Sequence, residues 1–148
     1  MPKKFTVQDI MNKEPCPDYT EEVVTELWAG REELTFKEVC NLDIAIDDRV
    51  WISARLVPIE IAVKWADYCA DEAQKHASYA AYYAASAASA TSAYAYAAAI
   101  DADAAYWAAD AAATTAAAYW AADADWTKTR NEELERFLSK LVEMHEAE

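Results

Sequence analysis

Three groups of residues in this chain have types and spacings that could support chemistry. The first is a pair of alternating carboxylates, Asp101-Ala102-Asp103 and Asp123-Ala124-Asp125. Their oxygens suit a hard cation, but a calcium loop needs further ligands and a glycine turn, which neither pair has. Helix capping and solubility account for both pairs. The second group is Cys69, Glu72 and His76, which share a helix face at three- and four-residue spacing. Zinc needs a fourth ligand or a water, and its sites usually show paired spacings that are missing here. The third is the row of rings at Tyr82, Tyr94, Trp107 and Trp120, which could line a base-stacking groove. Such grooves combine rings with positive charge, yet no Lys or Arg occurs between Lys75 and Lys128. A core or self-association surface fits these rings better. Cys16, between Pro15 and Pro17, is a candidate thiol, and His145 stands where an imidazolium would complement a helix C-terminus. With two histidines, no phosphate loop and no nucleophile elbow, hydrolase or transferase chemistry has little to work with. The expectation is a non-enzymatic protein with no metal and no cofactor.

The elements that hold these residues are helical. Alanine supplies 35 of the 148 residues and glycine one, Gly30, while Leu, Ile, Val and Phe together supply 25. Low aliphatic content with high charge is a signature of disorder. Here, however, 15 Trp and Tyr offer large surfaces to bury, and alanine is the best helix former. The chain falls into three zones: an ordinary helical part (1–58), an Ala/Tyr/Trp/Asp-rich tract (59–126) and an amphipathic tail helix (127–148). In the first, Thr6 with Asp9, Asp18 with Glu21, and Thr35 with Glu38 read as helix starts, the last as a capping box. A helix from Glu21 to Ala29 is expected to end with Gly30 in the left-handed position. Asp47 and Asp48 sit at the start of a helix over 49–56, and Val57-Pro58 marks a boundary. From Pro58 onward, Ile59, Ala62, Val63, Ala66, Cys69, Ala70 and Ala73 form one apolar stripe.

The tract carries a quasi-repeat. Ala81-Tyr82, Ala93-Tyr94, Ala105-Tyr106-Trp107 and Ala118-Tyr119-Trp120 begin 12, 12 and 13 residues apart. Twelve residues return about 120° from the starting face, so one straight helix cannot align them. A single helix over 59–126 would also be about 100 Å long. Turns are expected at Asp101–Asp103 and at Thr127–Asn131, where Ser, Thr, Asp or Asn can cap a new helix. The tail then runs Glu132–Glu146 with Leu134, Phe137, Leu138, Leu141 and Met144 inward. The fold class is all-α: short N-terminal helices, an Ala-rich antiparallel helical hairpin and a C-terminal amphipathic helix.

The run Arg49-Val-Trp51-Ile-Ser-Ala-Arg55-Leu56-Val57-Pro58, with Ala66-Asp-Tyr68-Cys69-Ala70-Asp-Glu-Ala73, resembles the alanine-rich immunity proteins of bacteria and phages. The resemblance extends over 16–148. It implies a helical protein that binds a partner in microbial or phage conflict, and it carries over no catalytic residue.

The formal charge of −14 points the same way. It disfavours nucleic acid or an anionic membrane as a direct partner and favours a protein with a basic surface. The uncharged run 77–100 holds no Leu, Val or Phe, so it does not read as a membrane span. A cytoplasmic location is expected from the absence of a signal-peptide pattern at the start of the chain. The candidate partner-binding residues are Asp101, Asp103, Asp110, Asp123 and Asp125 with Tyr82, Tyr94, Trp107 and Trp120. Mimicry of DNA phosphates is the sharper form of this expectation, and solubility alone also accounts for such charge. The alternatives are a self-assembling helical protein, hence a homo-oligomer, and a nucleotide or metabolite sponge.

Overall fold

The computed structural model describes residues 3–75, 106, 109, 110, 113 and 126–147. Thr6 and Thr35 each open a helix of only five residues, α1 (Val7–Met11) and α3 (Phe36–Cys40). Helices this short do not persist on local hydrogen bonds alone. Each is held first by a full capping box. Asp9 N–H donates to Thr6 Oγ1 (3.2 Å) while Thr6 N–H donates to the Asp9 carboxylate (2.8 Å). At the second helix, Glu38 N–H donates to Thr35 Oγ1 (3.2 Å) and Thr35 N–H to Glu38 (2.7 Å). Each box satisfies two N–H groups that a helix start leaves orphaned.

The two helices belong to two copies of one local design. Phe5-Thr-Val-Gln-Asp-Ile-Met-Asn12 and Leu34-Thr-Phe-Lys-Glu-Val-Cys-Asn41 match position by position in character. Their leading residues form a two-stranded antiparallel ribbon, β1 (Lys4–Phe5) with β2 (Leu34–Thr35), in which Phe5 pairs with Leu34 and Lys4 with Thr35. Phe5 and Leu34 are equivalent residues of the two copies, so the ribbon has local two-fold character. Each copy continues into a longer helix packed on its short one: α2 (Glu21–Trp28) on α1, and α4 (Ile46–Leu56) on α3.

Next come α5 (Ile59–Lys75) and α6 (Trp126–Glu146), and α6 packs on α3, α4 and α5. Pro58 fixes the α4–α5 corner: Val57 is extended, and the Pro58 carbonyl accepts from Ile61 and Ala62 N–H (3.0 and 3.1 Å). One apolar cluster runs through all these elements, from Phe5, Val24 and Trp28 to Leu134, Phe137 and Leu141. Among the described residues, two buried indoles of this cluster are anchored by hydrogen bonds as well as area. Trp28 Nε1–H donates to the Phe5 carbonyl (3.2 Å) and Trp65 Nε1–H to the Phe137 carbonyl (2.7 Å). The class is all-α, with the ribbon as the only sheet among the described residues.

Of the tract, Tyr106, Ala109, Asp110 and Ala113 are described, all helical, at i, i+3, i+4 and i+7. Ala109 and Ala113 are fully buried in the common core, where a methyl group lets the backbone approach closely. The expected bend near Asp101 lies outside the described residues.

Several expected details are corrected. Thr20, not Asp18, caps α2, accepting from Val23 N–H (3.3 Å). The left-handed turn at its end starts one residue early, at Ala29 (φ 51°), and continues through Gly30 (φ 80°). The stretch 127–131 is no break, because α6 begins at Trp126 and runs through it. The buried stripe of α5 includes Ile61 and Trp65, which the expected stripe omitted, while Ile59 is only half-buried. His145 lies against the Phe36 ring with centroids 4.3 Å apart, and burial lowers its pKa. It stands in the last turn of α6 as expected, but packed against a ring, where burial disfavours its charged form.

Candidate functional site

All five arginines of the chain are engaged within the fold. Arg31 pairs with Glu38 (3.0 Å) and Arg136 with Glu72 (3.2 Å) and Glu133 (2.6 Å). Arg49, on α4, makes a two-toothed bridge to Glu135 on α6 and also reaches the carbonyls of Cys40 and Ile44 (both 3.3 Å). Arg55 donates to the Trp51 carbonyl (2.9 Å), its guanidinium 3.7 Å from the Trp51 ring centroid. Arg130, near the start of α6, forks between Asp47 on α4 (2.6 Å) and Asp110. The hydrogen bond to Asp47, then that to Asp110, raises the arginine's pKa against the cost of burial. A planar guanidinium suits this double acceptor in a way an ammonium does not.

The carboxylates are distributed differently. Glu21, Glu22 and Glu26 on α2, Glu32 and Glu33 before β2, and Asp43 before α4 are exposed. None of the six forms an ion pair among the described residues. Asp47 and Asp48, half-buried, are instead engaged, by Arg130 and by Tyr19. The N-terminal part thus exposes six carboxylates that form no ion pair among the described residues, beside the exposed cations Lys3, Lys4, Lys13, Arg31 and Lys37.

A cavity of about 270 Å³ opens between the two N-terminal copies. Ile10, Val24, Trp28, Val39 and Ile52 make its buried floor, and Glu14, Tyr19, Asp48 and Trp51 stand at its edge. Tyr19 O–H donates to Asp48 Oδ2 (2.6 Å). Burial, then this hydrogen bond, pushes the Tyr19 hydroxyl up to about 12, so it remains a donor at neutral pH.

The nine candidate partner-binding residues separate into one that is described and eight that are not. Asp110 is drawn onto Arg130 and is one-quarter exposed. Asp101, Asp103, Asp123, Asp125, Tyr82, Tyr94, Trp107 and Trp120 lie outside the described residues, as does His76. Glu72 is engaged by Arg136 and Cys69 is fully buried. Among the described residues no group of three or more His, Cys, Asp or Glu is placed to hold a metal. Burial pushes the Cys69 thiol far up and the Cys40 thiol to about 12, Cys40 lying 3.1 Å from the buried Ser53 hydroxyl. Both are poor nucleophiles for that reason, whereas Cys16 is exposed. Comparison with family models, curated proteins and solved structures finds no match. No helix among the described residues is long and apolar enough to cross a membrane.

The cavity is the feature the local sequence did not show. Its edge is assembled from residues 14, 19, 48 and 51, whose approach depends on how the two copies pack. The only local signals were Pro15 and Pro17, which mark a constrained loop.

Proposed function

We propose that this chain is a non-enzymatic binding protein of the immunity or phage anti-defence type, acting by stoichiometric occupation of a basic surface on a protein partner. The observation that supports this reading is the asymmetry of charge engagement. Every arginine is tied into the fold, while Glu21, Glu22, Glu26, Glu32, Glu33 and Asp43 are exposed and form no ion pair among the described residues, so they outnumber the exposed lysines Lys3, Lys4, Lys13 and Lys37 of the same part. At −14 overall, such a surface attracts a basic partner over long range and suppresses association with nucleic acid. Enzymes that handle nucleic acid carry basic grooves, so a DNA-mimicking surface is the form of partner recognition that this charge suits. Asp110 is set aside from such recognition by its bond to Arg130.

The test uses the protein encoded beside this chain's gene as the candidate partner. Neutralising the six exposed carboxylates to Gln or Asn should weaken the complex at least tenfold and flatten its salt dependence. Asp110→Asn should leave affinity unchanged. Affinity that survives the sixfold neutralisation would overturn the reading.

A further inference from the structure

The cavity between the two N-terminal copies has a composition that selects for charge. Its volume of about 270 Å³ equals the space of about nine liquid waters. That is just below the range of drug-sized pockets, roughly 300–1,000 Å³, so the occupant it suits is a single ring system or a branched aliphatic group. The floor is apolar, which favours displacement of water by such a group. The carboxylates at its edge are Glu14 and Asp48, and no Lys or Arg lines it.

Asp48 is already oriented. Its Oδ2 accepts from Tyr19, 29 residues away in sequence, and no described group donates to Oδ1. The same bond holds the 13–20 loop across the cavity edge, where Glu14 adopts a left-handed backbone (φ 54°) immediately before Pro15. Trp51 offers a ring at the opening and already carries the Arg55 guanidinium at 3.7 Å, so its π-system is used for cation contact within the fold.

We propose that this cavity is a binding site for a small organic cation: a protonated amine on an aromatic or branched aliphatic body. The body fills the floor over Ile10, Val39 and Ile52, and the ammonium donates to Asp48 with Glu14 close by. An anionic ligand of the same shape meets two carboxylates and is rejected. The site is independent of the partner surface proposed above, and its occupancy can be measured with no partner present.

The probes are tryptamine, tryptophol and indole-3-propionate, which share one ring and differ in the charge of the side arm. Titration calorimetry on the full chain should show saturable binding of tryptamine, about tenfold tighter than tryptophol, because a hydrogen bond to a charged pair is stronger than a neutral one. Indole-3-propionate should bind least. Asp48→Asn should reduce tryptamine to the tryptophol level. In ¹H–¹⁵N spectra the indole N–H signals of Trp28 and Trp51 should move on titration. That of Trp65, bonded to the Phe137 carbonyl in the core, should not. If Asp48→Asn does not fold, the comparison of the three probes on the native chain decides, with Glu14→Gln at an exposed position as the second variant. No saturable binding, equal affinity for the three probes, or chemical-shift changes centred on Trp65 would each overturn the proposal.

Discussion

Replacing Arg130 with Met removes the guanidinium that ties α6 to both α4 and the tract helix segment. The expected cost follows from where the three groups sit. The Arg130 side chain is 14% exposed, Asp110 25% and Asp47 41%. Fully exposed pairs are worth roughly 0.2–1 kcal/mol, whereas breaking a buried pair costs roughly 3–5 kcal/mol. This fork lies between the two, so the loss should be about 2 kcal/mol. For a chain of this size that lowers the midpoint of thermal unfolding by about 4–8 °C. Arg130→Lys should recover about half of the loss, since an ammonium keeps the charge but cannot fork to two carboxylates with the same geometry. Asp110→Asn alone should cost about 1 kcal/mol. The double variant Asp110→Asn with Arg130→Met should fall short of additivity by a similar amount, because the two side chains share one interaction. Denaturant unfolding followed by tryptophan fluorescence supplies all four values. A loss under about 0.5 kcal/mol for Arg130→Met, the level of an ordinary surface change, or strict additivity in the cycle, would refute the reasoning and return Asp110 to the pool of carboxylates open to a partner.

Other outcomes follow from the same contacts. Trp65→Phe removes the indole donor that supplements the intrahelical bond of the Phe137 carbonyl, and it removes ring volume, so it should destabilise by about 1–3 kcal/mol in the same assay. Thr6→Ala and Thr35→Ala should each cost about 1 kcal/mol. Their effects should couple, because the residues they cap are joined through the Phe5–Leu34 pair; simple additivity would count against the two-fold ribbon. The His145 imidazole should titrate below its ordinary 6.5 by NMR, because burial against Phe36 disfavours its charged form. With the folded pKa depressed, the unfolded chain binds the proton more readily. The associated stability is present above pH 6.5 and is lost as pH falls from there through the folded value. A midpoint above 6.5 would contradict the burial of this imidazole against Phe36.

What could be read in the sequence was local. Thr35 with Glu38 declares a capping box within four residues, and Val57-Pro58 restricts its own backbone, so both were legible. Leu134, Phe137, Leu138 and Leu141 follow one helical period, and all four are buried. The start of α6 is not legible locally, because Thr127-Lys-Thr-Arg-Asn131 has the composition of a loop. It is helical where Arg130 bonds to Asp47, 83 residues earlier, and to Asp110. His145 stands at a helix end, as its position in the sequence indicates, but the ring it packs against, Phe36, is more than a hundred residues away and leaves no local signal. The ribbon could not be seen because two residues per strand carry no alternation, and its pairing partner is a second copy of the motif. The cavity and the Tyr19–Asp48 bond share that origin: both arise from the packing of two segments, and neither segment alone encodes them.

The central claim, recognition of a basic protein surface by exposed carboxylates, is tested most directly by the salt dependence of complex formation. The chain and the protein encoded beside its gene would be titrated calorimetrically at about 50 mM and about 500 mM salt, conditions that shorten the screening length about threefold. The account predicts a saturable stoichiometric complex whose affinity falls at least tenfold across that range. An affinity indifferent to salt, or no complex at the lower salt, would contradict it.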